Sequence, residues 1–162
     1  MSRSRILPPG KPAGRSAAAL WPAGGPRRDS TQTRSRTLKR LRVLIVDDHR
    51  PFAEAVRSLL STDDRIDVVG SARNGEEAVE LAAQLAPDLI VMDLDMPVMN
   101  GVEATRVLSK RDGAIVLLLT GSDSPSDIAL ARSAGASGYV RKGADTSDLL
   151  ARVLALGERI SA

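Results

Sequence analysis

From Leu41 onward a short apolar run followed by a segment with helical spacing recurs five times, and no other feature restricts the fold so tightly. "LRVLIV" (Leu41 to Val46) stops at "DDHRP", and "AEAVRSLLS" (Ala53 to Ser61) then repeats apolar residues with helical period. "IDVVGSA" (Ile66 to Ala72) is a second strand, and "NGEEAVELAAQL" (Asn74 to Leu85) sets Ala78, Leu81, Ala82 and Leu85 on one helical face that Pro87 closes. The cycle repeats with "DLIVMD" and "GVEATRVLSK", with "AIVLLLT" and "PSDIALARSAG", and with "GYVRK" and "TSDLLARVLALGERI". Strands alternating with helices predict a parallel sheet covered on both faces. Runs such as "AIVLLLT" lack polar alternation, as strands buried on both faces should.

Ligands of such a sheet sit beyond the carboxyl ends of its strands. The first strand ends at Asp47 and Asp48, the third at Asp93, the fourth at Thr120 and the fifth at Lys142. Three carboxylates, a hydroxyl and an ammonium therefore converge on one edge. Crowded carboxylates raise one another's pKa and need a cation, and Mg2+ takes oxygen ligands of this kind. An aspartate beside that ion can be a nucleophile towards phosphorus, with Lys and Thr meeting the charge on the phosphoryl oxygens. Asp93, on the middle strand, is the natural acceptor.

These residues carry a resemblance. "VDDH" after the first strand, "DLDMPVMNG" after the third, "LLLTG" at the fourth and "GYVRKGA" at the fifth stand in the order and spacing of the receiver domain of bacterial two-component response regulators. Within that family the chain from Leu41 is most similar to receivers of LuxR/NarL-type helix-turn-helix regulators. The resemblance implies a flavodoxin-like (βα)5 three-layer sandwich with a five-stranded parallel sheet in the order 2-1-3-4-5. By motif position Asp93 resembles the phospho-acceptor. Asp47 and Asp48 resemble the acidic pair that holds Mg2+, with Asp93 and the Asp95 backbone carbonyl completing the site. Thr120 resembles the switch hydroxyl, Lys142 the lysine that pairs with the acceptor or its phosphate, and Tyr139 the aromatic switch residue. Asp95 and Ser122 are expected to flank the attacking water and tune the lifetime of the aspartyl phosphate. The implied partners are a sensor histidine kinase or phosphotransfer protein, a downstream protein target, and a second copy bound through the fourth and fifth helices.

Two departures stand out: Gly143 follows the lysine where the family often has proline, and Gly121 follows Thr120 where alanine is commoner. The chain stops at Ala162, where the fifth helix should end, so DNA binding is expected only if an output domain is missing from it.

Each residue also has an ordinary explanation when taken alone. Asp47 and Asp48 could complement a helix N-terminus, Lys142 could be solvated, Thr120 a strand residue and Tyr139 a core-edge aromatic. His49 reads as an exposed neighbour, Glu76, Glu77 and Glu80 as a solvated helix face, and the methionines of "MPVMNG" as loop packing. In that loop Pro97 fixes a turn, and Asn100-Gly101 can take positive φ. "DLD" also matches the Asp-x-Asp core of haloacid-dehalogenase-type phosphatases, with Asp93 as nucleophile and Asp95 as acid/base. Order argues against that enzyme: its motif lies on the first strand, whereas here an acidic pair lies upstream. A receiver that never phosphorylates would not need the full set of Asp47, Asp48, Asp93, Thr120 and Lys142.

Charge separates the chain into residues 1–40, a basic tail, and residues 41–162, the receiver-like domain. The first part holds ten Lys/Arg against one acid, the second thirteen against nineteen, so the net charge of +3 describes neither. The tail mixes Pro, Gly, Ser and Arg without periodicity and is expected to be disordered. Its only apolar run, "AAALW" (Ala17 to Trp21), is too short for a signal sequence. The absence of cysteine excludes thiolate chemistry and disulfides, and no run is long enough to span a membrane, so a cytoplasmic protein without membrane contact is expected.

Overall fold

The computed structural model describes residues 18–21, 39–111 and 114–161. In chain order its elements are β1 (Ala18–Leu20), β2 (Leu41–Val46), α1 (Arg50–Leu60), β3 (Ile66–Ala72), α2 (Gly75–Leu85), β4 (Leu89–Asp93), α3 (Gly101–Arg111), β5 (Ile115–Thr120), α4 (Pro125–Ser133), β6 (Gly138–Arg141) and α5 (Thr146–Ser161). Five strands are parallel in the order β3-β2-β4-β5-β6, which is the expected 2-1-3-4-5 counted from Leu41.

Among the described residues the sheet has six strands, not five. β1 pairs antiparallel with β6, so part of the tail expected to be disordered is an edge strand. Three residues are too few to carry a periodic signal, and what orders them is tertiary: the unpaired backbone groups of β6 and apolar surface on both faces of that edge. The remainder of the disorder expectation, residues 1–17 and 22–38, lies outside the described residues.

The strand side chains alternate between two cores. Val43, Ile45, Leu89, Val91, Leu117 and Leu119 pack with α1 and α5. Leu44, Val46, Ile90, Met92, Val116 and Leu118 pack with α2, α3 and α4. All twelve are almost solvent-free, which is why their sequence runs are continuously apolar.

Local chemistry sets the helix ends. The Asn74 side chain accepts from Glu77 N at 2.9 Å, while Glu77 Oε2 accepts from Arg73 N at 3.1 Å, so the acid expected to be solvated also caps α2. α2 ends at Ala86, which adopts φ 46° just before Pro87, where αR is disfavoured.

The loop after β4 departs from expectation. Positive φ falls at Val98 (70°), not at Asn100 or Gly101. Met99 N donates to Pro97 O at 2.8 Å, closing a three-residue turn around Val98, a strained geometry for a β-branched residue. Gly75 N in turn donates to Met99 O at 2.9 Å, tying this loop to the start of α2. Met96 and Met99 pack against the second core, as loop packing predicts.

Candidate functional site

The carboxyl ends of β2, β4, β5 and β6 bring the anticipated residues to one edge. Asp47 follows β2, and its backbone N donates to Ala72 O at 3.0 Å, so β2 and β3 carry it to the rim together. Its Oδ1 accepts from His49 N at 2.8 Å, which fixes the carboxylate against the entry to α1. Asp93 closes β4, opposite Leu119 of β5. Gly101 opens α3 directly against it, and a Cβ at Gly101 would collide with the Asp93 carbonyl oxygen. This close approach is why glycine stands there.

Lys142 comes from just beyond β6, where its backbone N donates to Thr120 O at 2.7 Å. Its Nζ lies 2.9 Å from Asp47 Oδ2 and 3.0 Å from Asp93 Oδ2. The same ammonium sits 4.5 Å from the centroid of the Phe52 ring, a cation–π contact from α1. Sequence reasoning did not single out Phe52. Its only signal was an aromatic one turn into the helix after "DDH".

Asp47 is 3% exposed and Asp93 5%, deep for carboxylates. Burial pushes the Asp93 carboxyl above its ordinary pKa, and the Asp47 charge adds to this against the opposing pull of Lys142. Burial acts to lower the Lys142 pKa, yet the two carboxylates outweigh it and hold the ammonium above its ordinary value. One cation is shared by two acids. Asp47 Oδ2 is fully buried, and the Lys142 ammonium is its partner among the described residues. Carboxylate oxygens of Asp47, Asp48 and Asp93 lie within 4.8 Å of one another, with Asp48 on the exposed side.

The remaining candidates are placed less directly. Thr120 is buried, and its hydroxyl is engaged in its own loop, donating to Ser122 O at 2.5 Å and accepting from Ser122 N at 3.1 Å. The Ser122 hydroxyl accepts from Ser124 N at 3.1 Å. Asp95 is exposed, and its backbone N donates to Asp93 Oδ1 at 3.4 Å. Tyr139 is half-buried against the second core, with its ring 5.8 Å from that of Trp21. His49 is the exposed N-cap of α1, as expected of a bystander.

Residues 43–154, more than half of the chain, match the response regulator receiver domain. The chain belongs to that family. The receiver is 40% identical over 115 residues to the transcriptional regulatory protein DegU of Brevibacillus brevis, covering 70% of this chain and 49% of that protein. It is 42% identical over 110 residues to the nitrate/nitrite response regulator protein NarL of Escherichia coli K12, covering 67% and 50%. It also resembles the solved signal receiver domain of a NarL response regulator from Mycobacterium tuberculosis, with TM-score 0.71, 30% identity, and coverage of 74% and 98%. A LuxR-family two-component response regulator from Aurantimonas sp. SI85-9A1 gives TM-score 0.70 and 36% identity, with coverage of 74% and 87%. The receiver spans about half the length of the curated relatives it matches. Receivers of this family are signalling switches, so the phosphatase alternative falls away. Among the described residues no helix is long and apolar enough to cross a membrane.

Proposed function

We propose that this receiver takes a phosphoryl group onto an Asp93 carboxylate oxygen from the phosphohistidine of a sensor kinase or phosphotransfer protein in the cytoplasm. The observation that carries the reading is the Asp93 carboxylate, buried at a strand end with the Lys142 ammonium 3.0 Å away and Asp47 beside it. The donor set fits a hard divalent ion: three carboxylates lie within 4.8 Å, and the two buried ones share a single ammonium, which leaves negative charge for a cation to meet. Asp47, Asp48 and Asp93, with the Asp95 backbone carbonyl, would hold Mg2+, which when bound neutralises charge on the phosphoryl oxygens.

The chain's own residues do the rest. An ionised Asp93 oxygen forms the new P–O bond as the P–N bond to the donor imidazole breaks, and burial keeps that carboxylate poorly solvated and reactive. Lys142 meets the negative charge that arrives. Thr120 gives up the Ser122 carbonyl to donate to a phosphoryl oxygen, a rotation eased by the open space around Gly121. Tyr139 follows inward and reshapes the face of α4, β6 and α5, where a second copy or a downstream target docks. Asp95 and Ser122 then control access of the hydrolytic water. Because the matched segment covers only about half of relatives that include the transcriptional regulatory protein DegU, control of transcription through a DNA-binding partner domain is the output we favour.

Incubation with Mg2+ and a small acyl phosphate tests the proposal. Stoichiometric, hydroxylamine-labile labelling that disappears in Asp93→Ala supports it. Repeated turnover of a phosphate ester without a stable label contradicts it.

A further inference from the structure

β6 would end the sheet as an open edge, and such edges accept extended chains. In this protein Ala18–Leu20 fills the edge, with Ala18 opposite Val140, Ala19 opposite Tyr139 and Leu20 opposite Gly138. The fit is two-sided. Leu20 packs with the α1 and α5 core on one face, while Trp21 stacks on Tyr139 on the other, rings 5.8 Å apart and inclined by 41°. Polar contacts close the end of the strand: Trp21 N donates to Ser137 O at 3.2 Å, and Arg159 Nη2 donates to Trp21 O at 3.0 Å. Gly138 leaves the room this needs, because a Cβ there would stand 2.6 Å from Ala19 O.

We propose that the β6 edge is a docking site for an extended strand ending in an aromatic residue, that Ala18–Trp21 is its resident ligand, and that phosphorylation of Asp93 releases it. The release rests on the reading of Asp93 and Tyr139 given above; the docking does not. Residues 22–38 connect the ligand to the domain, and at up to roughly 3.3 Å per residue they reach easily across the about 19 Å of four strand spacings between β1 and β2. Docking is therefore intramolecular, and a competing strand from another molecule faces a high effective concentration. The Tyr139 ring cannot both move inward and keep its stack on Trp21. By linkage, a docked strand holds Tyr139 out and opposes phosphorylation to the same degree that phosphorylation opposes docking.

Trp21 is the only tryptophan, so its fluorescence in the full-length chain reports on the docked strand alone. In the unmodified protein acrylamide should quench Trp21 several-fold less than in Leu20→Asp or Gly138→Ala, with far-UV circular dichroism establishing that both variants are folded. Labelling Asp93 with Mg2+ and an acyl phosphate should raise quenching towards the variant level. The variants should label faster than the parent by roughly 2- to 10-fold, the span expected of an aromatic pair. Equal quenching in the parent and the folded Leu20→Asp variant overturns the docking. Unchanged quenching in a chain fully labelled on Asp93 overturns the release while leaving the phosphoacceptor reading intact. If Asp93 takes no label, the phosphoacceptor reading and the release fail together, and the docking is judged on the unmodified chain.

Discussion

Lys142 Nζ lies 2.9 Å from Asp47 Oδ2, an oxygen of a carboxylate that is fully buried. The lysine therefore acts as the internal counter-ion of a carboxylate that water does not reach, and it serves Asp93 at the same time. Replacing it by Ala leaves two buried acids uncompensated. Since the lysine is itself partly exposed, the expected loss is about 1–3 kcal/mol, below the range for a fully buried pair. Mg2+ should restore stability to Lys142→Ala by a larger Tm increase than in the parent. Equal increases in thermal melts would contradict the shared-site account.

The elevated Asp93 pKa has a pH signature with a definite sign. A carboxyl whose folded pKa is raised gives its full stabilising contribution below its unfolded pKa of about 3.9 and loses it as pH rises through the folded value. Asp93→Asn, which stays neutral, should thus match the metal-free parent in acid and exceed it in stability near neutrality. Chemical denaturation across that pH interval reads the difference. A variant less stable than the parent at pH 7 would mean that Lys142 already compensates Asp93 fully.

Gly101→Ala probes how closely α3 abuts the acceptor. The added Cβ collides with the Asp93 carbonyl, so something rigid must shift, and overpacking of this kind costs about 1–3 kcal/mol. Labelling of Asp93 should slow in the folded variant because the carboxylate moves with its backbone. Unaltered stability and labelling would show that the α3 start yields freely.

Val98 offers the opposite experiment. It is 75% exposed, and its positive φ is strained for a β-branched side chain. Val98→Gly removes that strain and loses little packing, so it should be neutral or stabilising by up to about 1 kcal/mol, against the loss of similar size usual for glycine. A Tm well below the parent would show that the Val98 side chain has a structural duty.

Most of this site was legible because strand ends are. Asp47, Asp93, Thr120 and Lys142 each follow an apolar run, and a parallel sheet must gather such positions at one rim whatever their separation in sequence. Partner atoms are different, because they depend on rotamers. Nothing local reveals that the Thr120 hydroxyl is engaged by Ser122 or that Phe52 lies under the ammonium. β1 was illegible for another reason. "AAL" has no preference of its own that distinguishes it from the rest of a Pro- and Arg-rich tail, and it becomes a strand only because β6 presents an unpaired edge beside Tyr139 and Arg159. The Val98 turn is not signalled locally because Asn100-Gly101 is the stronger turn signal, yet tertiary anchoring of Gly101 against Asp93 uses that glycine for space, and the positive φ falls three residues earlier, at Val98.

Asp95 and Ser122 bear on lifetime. Asp95→Ala and Ser122→Ala should each change the half-life of the phosphorylated protein by at least about twofold, with the initial labelling yield unaltered, because both side chains are exposed and are proposed to control the hydrolytic water. Unchanged decay in both, followed by loss of the acid-stable, hydroxylamine-labile label, would remove them from the reaction.

The central claim is that Asp93 is the group that becomes phosphorylated. Peptide mapping after reductive trapping of the acyl phosphate, in full-length protein treated with Mg2+ and an acyl phosphate, tests it most directly. One modification per chain at Asp93, absent when magnesium is chelated, is the predicted result; modification confined to Asp47, Asp48 or Asp95, with Asp93 untouched, would contradict it.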